Sequence, residues 1–368
     1  MMETVVARAH VDRLPPHTPL HTLTDTLVVA RMARDTIVPD IDVREWVTID
    51  VHAIGINPAD LLQARGFYDP PPGAGPVLGL ECSGIVTGVG EDVVENPQWQ
   101  WIHPGTPVCA LLPAGAYAEQ VVAHPSTLFP VPSGVSIAEA AGLAEAAVAA
   151  TMVLRHAPAR ECHPLPAQSP SHSHRSILIH GASGGVGALA VQIAAQRGYR
   201  VFATAGTAQR CRRVENLGAE GCFDYHEDWA NSVPEPVDLI VDVTGAAGLE
   251  ANIRSLARGG TLAVLGLIKG RRATLDLGEL IARNATITAE TVRSQPLDMK
   301  ARLCQVARNE VWPLLDAGVI RPVVEVLAAE GEDAPRSRWT ERVAVAHRRM
   351  SERDRSTAPF GRLVVDCR

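Results

Sequence analysis

Two rhythms divide the chain. Through the first 130 residues, short apolar runs alternate with turns. Residues 44–56 (REWVTIDVHAIGI) alternate apolar with other side chains at the period of a strand, and 80–90 (LECSGIVTGVG) form a second strand interrupted by glycines. Between them, NPADLLQARGFYDPPPGAGP predicts a helical turn over Pro58–Gln63 and a loop from Tyr68 to Pro76. PVCALLP and AYAEQVVAH add strand-like pieces, so this part reads as a compact, partly barrel-like β domain. The rhythm changes near Ser133. SIAEAAGLAEAAVAATMVLRHA has helical composition, with Ser136 at the N-cap and Glu139 three residues on. After a polar Pro/Ser/His loop, strand and helix alternate: SILIHG with VGALAVQIAAQRG, RVFATAG with TAQRCRRVENLGA, VDLIVDVTG with LEANIRSLARGG, TLAVLGL with ELIARNA. That alternation predicts a parallel sheet covered on both faces. From about Gln295 come one helix (MKARLCQVARNEVWPLLDAG), a long charged segment and a final strand, GRLVVDC. The expected division is therefore 1–132, 133–294 and 295–368.

Composition narrows the class. The 368 residues, 46% hydrophobic and 20% charged, suffice for two domains with real cores. With 34 Lys and Arg against 41 Asp and Glu, the net charge is −7, and only 15 residues are aromatic. Both features argue against nucleic acid as a partner. Seven cysteines (Cys82, Cys109, Cys162, Cys211, Cys222, Cys304, Cys367) are scattered without a CxxC pair, which speaks against a disulfide framework or a cysteine-rich zinc lobe. Residues 176–196 carry no Asp, Glu, Lys or Arg, but their glycines fit a strand, turn and helix better than a bilayer span. The N-terminal residues show no signal peptide, so a cytoplasmic protein without membrane partners is expected.

HGASGGVGALAVQIAA lies between a predicted strand and a predicted helix, where a tight turn brings backbone N–H groups onto a pyrophosphate at a helix N-terminus. The alternative is a packing turn in a fold without that ligand. Which cofactor it would be is decided at the second strand. An acid there accepts from the ribose 2′-hydroxyl of NAD, whereas a cation accommodates a 2′-phosphate. RVFATAG ends without an acid and is followed by Thr207 and Arg210, a hydroxyl and a guanidinium able to share a phosphate. NADPH is therefore favoured over NADH. The bland reading of Arg210 is a solvated arginine on a helix face.

These residues carry a family resemblance. AIGINPADLLQARGFYDPPPGAGPVLGLECSGIV (53–86), LIHGASGGVGALAVQIA, GTAQR, the Tyr225 of CFDY and the closing GRLVV resemble the zinc-independent quinone oxidoreductases of the medium-chain dehydrogenase/reductase superfamily. The YDPPPG stretch is most similar to their tumour-suppressor-inducible subfamily. The likeness runs from about residue 27 to 368 and implies an α/β protein: a GroES-like β-rich catalytic domain built from both chain ends, plus a doubly wound Rossmann nucleotide-binding domain inserted between. It implies homodimers, with ATITAETV (285–292) at the joining sheet edge. It also places Asn57 and Tyr68 beside nicotinamide and substrate, and Ser183, Gly184, Gly185 and Val186 on the pyrophosphate. Thr207, Arg210 and Tyr225 would surround the adenosine phosphate. Thr244, Leu265, Gly266, Leu267, Thr291, Val292 and Arg293 would line the rest of the cofactor. No metal is expected: where zinc-dependent relatives have a Cys ligand and a GHE motif, this chain has Asn57–Asp60 and Gly79–Leu80–Glu81. The cluster Cys162, His163, His172, His174 lies in the polar loop with irregular spacing.

The expected activity is hydride transfer from NADPH to a quinone, driven by positioning and by Asn57 and Tyr68 hydrogen bonds rather than by a catalytic triad. Reduction of an activated alkene, such as an enone or enoyl thioester, uses the same geometry, and a non-catalytic NADPH-binding sensor or structural protein is the third reading. Two departures from the family pattern stand out. Ala147 and Ala149 replace a bulky residue and a threonine, predicting a wider, more apolar pocket, and the Cys162–His174 loop is longer than usual.

Overall fold

The computed structural model describes residues 2–14, 18, 20–32, 43–158, 175–328, 339–351 and 358–368. Cys162, His163, His172 and His174 lie outside the described residues. The chain forms two compact units, Met1–Ala146 with Arg293–Arg368, and Ala147–Val292.

In the first unit, the described residues form a seven-stranded sheet ordered Val324–Leu327, Arg362–Asp366, Val47–Ile56, Glu81–Val89, Pro107–Leu111, Leu128–Pro130, with Gln120–Ala123 paired to Val47–Ile56. The alternation read at 44–56 gives its long central strand, in which Val47, Ile49, Ile54 and Ile56 are fully buried. Both chain ends meet here: Val364 pairs with Gly55 and Val365 with Ile54, antiparallel. A second, three-stranded sheet, Met2–Ala7, Leu27–Met32 and Leu20–Thr22, is joined to this unit by Val5 N–H to Tyr117 O (2.9 Å) and Leu78 N–H to Val5 O (3.1 Å).

Ser136 and Glu139 make the expected capping box: Glu139 N–H donates to Ser136 Oγ (3.2 Å), and Ser136 N–H to Glu139 Oε2 (3.0 Å). The single helix expected after it is two. Ile137–Ala140 ends in tight i→i+3 bonds, Gly142 to Glu139 and Leu143 to Ala140, while Ser83 Oγ donates to the Ile137 carbonyl (2.5 Å). That side-chain bond ties the short helix to the strand Glu81–Val89 of the first unit. Ala144–Leu154 then crosses the boundary. The stretch Ile137–Leu154 is long and apolar enough to span a membrane, yet 78% of it is buried in the fold. The charged segment near the C-terminus contains a helix, Trp339–Ser351, whose Trp339, Val343 and Ala346 enter the core.

The second unit carries a six-stranded parallel sheet ordered Gly221–Asp224, Arg200–Ala205, Ser176–Ile179, Val237–Asp242, Leu256–Val264, Thr286–Ala289. By order in the chain this is 3-2-1-4-5-6, a doubly wound arrangement whose direction of winding reverses between Ser176–Ile179 and Val237–Asp242. Leu178, Phe202, Ile240 and Leu262 form the centre of its core. The helix expected over LEANIRSLARGG stops at Ser255, and Leu256 already opens the next strand.

Candidate functional site

The glycine turn sits at that reversal. Ser176–Ile179 leads through His180 and Gly181 (φ +64°) into the helix Gly185–Gln196. A Cβ at Gly187 would stand 2.5 Å from the Gly181 carbonyl oxygen, so the helix and turn can approach this closely only with glycine there. The N-cap is Gly184, which offers no side-chain acceptor to the helix's first turn. Its N–H donors therefore suit an anion. Ser183, Gly184, Gly185 and Val186 together form this mouth.

Across the end of the neighbouring strand, Thr207 caps the helix Ala208–Glu215 by accepting from Arg210 N–H (3.2 Å), and Arg210 Nη1 lies 3.5 Å from Ser183 Oγ. Tyr225 follows the third strand; its N–H donates to Ala205 O (3.0 Å), and its hydroxyl lies over Gly206. Ser183, Thr207, Arg210 and Tyr225 are thus gathered at one rim. No acid occupies the end of Arg200–Ala205. Thr244 is held by Asp242, whose Oδ1 accepts from Thr244 N–H (2.7 Å) and Oγ1 (2.5 Å) while Oδ2 accepts from Gly245 N–H (3.0 Å). Leu265 and Gly266 N–H donate to the Asp242 carbonyl, which brings the 265–267 turn beside Thr244. Thr291 is exposed and Val292 buried. Ala147 and Ala149 are both buried.

Behind this rim is a polar cluster that the sequence reading missed. His180 Nδ1 contacts Thr204 Oγ1 (2.9 Å), its Nε2 contacts Asn252 Oδ1 (2.8 Å), and Trp229 packs edge-on against the ring. Burial holds His180 below its ordinary range and hence neutral.

In the first unit, Asn57 is the N-cap of the helix Pro58–Ala64, and its N–H donates to Asp60 Oδ2 (2.8 Å). Its side chain is buried, and Nδ2 donates to Glu81 Oε1 (3.0 Å). Glu81 is wholly buried and also accepts from Glu145 N–H (2.9 Å). Arg362 bridges the two carboxylates, Nε to Glu81 at 3.1 Å and Nη2 to Glu145 at 3.1 Å. Burial pushes Glu81 up to about 7, against the pull of Arg362 and with the push of Glu145. Asp60, also fully buried, accepts from Tyr117 Oη (3.1 Å), which in turn lies 3.2 Å from His347 Nε2. Burial raises Asp60 to about 6 and lowers His347 to about 4.

Tyr68 stands in the loop after that helix, half-buried. Arg293 lies beneath it: the guanidinium is 5.0 Å from the ring centroid, Nε donates to Pro113 O (3.0 Å), Nη1 lies 3.5 Å from Tyr68 O, and Nη2 donates to Gln63 Oε1. The next loop residue, Asp69, is held by His10 (3.1 Å). The resemblance places Arg293 at the cofactor; the structure puts its buried guanidinium to use in fixing the Tyr68 loop.

Comparisons with known proteins agree with this layout. Residues 43–133 match the alcohol dehydrogenase GroES-like domain family, and residues 185–307 match the zinc-binding dehydrogenase family. The quinone oxidoreductase of Lama guanicoe is 26% identical over 345 residues, 92% of this chain and 93% of that protein; its counterpart in Sus scrofa is 28% identical over 304 residues, 80% and 85% respectively. The chain belongs to the medium-chain dehydrogenase/reductase superfamily. Among solved structures, the Thermus thermophilus quinone oxidoreductase, described alone and in complex with NADPH, superposes at a TM-score of 0.72 with 25% identity, each chain covered in full. The Escherichia coli quinone oxidoreductase complexed with NADPH gives 0.74 and 22%, with 99% of each chain covered.

The chain is an oxidoreductase. Its relatives include quinone oxidoreductases. The residues at the zinc-ligand positions do not fit a zinc ion here. Asn57 and Glu81 are bound to one another, and among the described residues no three His, Cys, Asp or Glu side chains converge.

Proposed function

We propose that this oxidoreductase transfers a hydride from NADPH to a quinone, with a proton from solvent completing the hydroquinone. The observation that carries the reading is the rim of Ser183, Thr207, Arg210 and Tyr225 beside an uncapped helix N-terminus, with no acid at the end of the second strand. Quinone oxidoreductases among the relatives, some described with NADPH, support it. These residues fit NADPH. Ser183 to Val186 would hold its pyrophosphate, Thr207, Arg210 and Tyr225 its 2′-phosphate, and Thr244, Leu265 to Leu267, Thr291 and Val292 the remainder. When bound, NADPH supplies the hydride. The chain's own task is then to orient the acceptor and favour charge on its oxygen. Tyr68 offers a phenolic donor on a loop fixed by Arg293 and His10, and Asn57 an amide whose orientation Glu81 sets. We further propose that the chain works in the cytoplasm as a homodimer joined along the edge strand Thr286–Ala289, where Ile287 (36%) and the neighbouring Ile281 (72%) are exposed.

Steady-state oxidation of NADPH and NADH, each with an ortho-quinone, a para-quinone and an enone, tests the reading. NADPH-selective turnover on quinones is expected. Tyr68→Phe should lower turnover about tenfold while leaving NADPH affinity unchanged. Preference for the enone would replace quinone by activated alkene, and NADPH binding without any turnover would leave a sensor.

A further inference from the structure

Tyr225 has a neighbour that neither the sequence pattern nor the resemblance assigns. The Lys269 ammonium lies over its ring, 4.1 Å from the centroid, and the His226 imidazole rests against the same ring at 4.4 Å. Lys269 comes from the turn after the fifth strand, and its backbone is anchored on the end of the fourth. Its own N–H donates to Thr244 O (2.8 Å), and the preceding Ile268 N–H to Val243 O (3.2 Å). The side chain is exposed, so the backbone is fixed while the ammonium is free to swing.

The acids near it have other partners. Asp224, next to Tyr225, accepts from His226 N–H (3.0 Å) and pairs with its Nδ1 (2.8 Å), and Asp242 holds Thr244 and Gly245. Among the described residues no carboxylate pairs with Lys269. Its partner is the aromatic face, a weak site for an exposed ammonium. A phosphate dianion bound against the same ring would be a far stronger one. Tyr225 itself spans the two cations: its hydroxyl reaches over Gly206, immediately before Thr207 and one helical turn from Arg210, while its ring carries Lys269.

We propose that Lys269 is the second cation of the adenosine 2′-phosphate site, resting on Tyr225 in the free protein and turning to the phosphate opposite Arg210 when the cofactor binds. The assignment rests on the NADPH reading above and makes Lys269 a determinant of selectivity for a phosphorylated ribose. An exposed charged hydrogen bond of this kind predicts about a tenfold effect on affinity.

The test uses the full chain and two probes that need no turnover, adenosine 2′,5′-bisphosphate and adenosine 5′-monophosphate, with NADPH and NADH affinities alongside. Lys269→Met should weaken the bisphosphate and NADPH about tenfold and leave the monophosphate and NADH within about twofold. Lys269→Arg should restore most of the preference, and the salt dependence of bisphosphate binding should be shallower in the Met variant. Equal binding losses for both probes, or no loss for either, would overturn the assignment. A wild-type protein without preference for the bisphosphate would overturn the NADPH reading as well. A wild-type preference that survives in Lys269→Met unchanged would overturn Lys269 alone.

Discussion

Glu81 ties the stability of the first unit to pH in a way that one isosteric substitution exposes. Its carboxyl is wholly buried and pushed up from the ordinary 4.5 to about 7. The folded state thus holds the proton more tightly than the unfolded chain, so the stabilising contribution is complete below pH 4.5 and is lost as pH rises through 7. A tenfold change in proton affinity corresponds to about 1.4 kcal/mol, so the whole difference is on the order of 3 kcal/mol, most of it falling between pH 5 and 8. Two other buried groups complicate the wild-type curve. Asp60, raised to about 6, acts in the same direction, while His347, lowered to about 4, makes stability rise with pH between 4 and 6.5. Glu81→Gln leaves both in place, so the difference between variant and wild type isolates Glu81. The variant leaves Arg362 with Glu145 as its remaining carboxylate. Urea unfolding followed by tryptophan fluorescence suits the question, since Trp46, Trp99, Trp101, Trp312 and Trp339 lie in the first unit and only Trp229 in the second. The variant should gain on the order of 2 to 3 kcal/mol relative to wild type from pH 5 to 8. A difference that is flat across that range would refute the buried, proton-hungry Glu81.

Two further variants probe other parts of the structure. Arg293→Gln removes the donors to Pro113 and Gln63 and the cation beneath Tyr68; hydrogen exchange of residues 66–72 should accelerate, and KM for the quinone should rise about tenfold with NADPH affinity unchanged. Unchanged exchange there would show that the Tyr68 loop is held by other contacts. Ile287→Lys places a charge on the exposed edge strand and should halve the mass measured by light scattering; the same mass for both proteins would move the subunit contact elsewhere.

What could be read beforehand follows from how local each signal is. The strands and helices of the second unit alternate over short stretches of chain, and the turn at Gly181–Gly187 carries four glycines in seven residues, so the alternation and the place of the turn were legible. The capping box at Ser136 and Glu139 is equally local. By contrast, the break after Ala140 depends on Ser83, a residue on a distant strand, taking the Ile137 carbonyl. The Glu81–Arg362–Glu145 bridge joins three remote segments, and no spacing announces it. The contacts of Arg293 with Pro113, Gln63 and the Tyr68 ring likewise join segments far apart in the chain, so no spacing announces them. The helix Trp339–Ser351 was more accessible. Trp339, Val343, Ala346 and His347 keep a helical period, but Glu341, Arg342, Arg348 and Arg349 between them disguised it as a charged linker.

The order of strands in the first sheet also sets a timetable for synthesis. Arg362–Asp366 lies inside that sheet, between Val324–Leu327 and Val47–Ile56, so its hydrogen-bond ladder cannot close before residue 366 has been made. The second unit is continuous, and every strand it needs is present once residue 289 has emerged. Its sheet can close while the half-built sheet of the first unit still offers the Ala53–Ile56 flank of its central strand to solvent, a span in which that unpaired edge is open to chaperones or to aggregation.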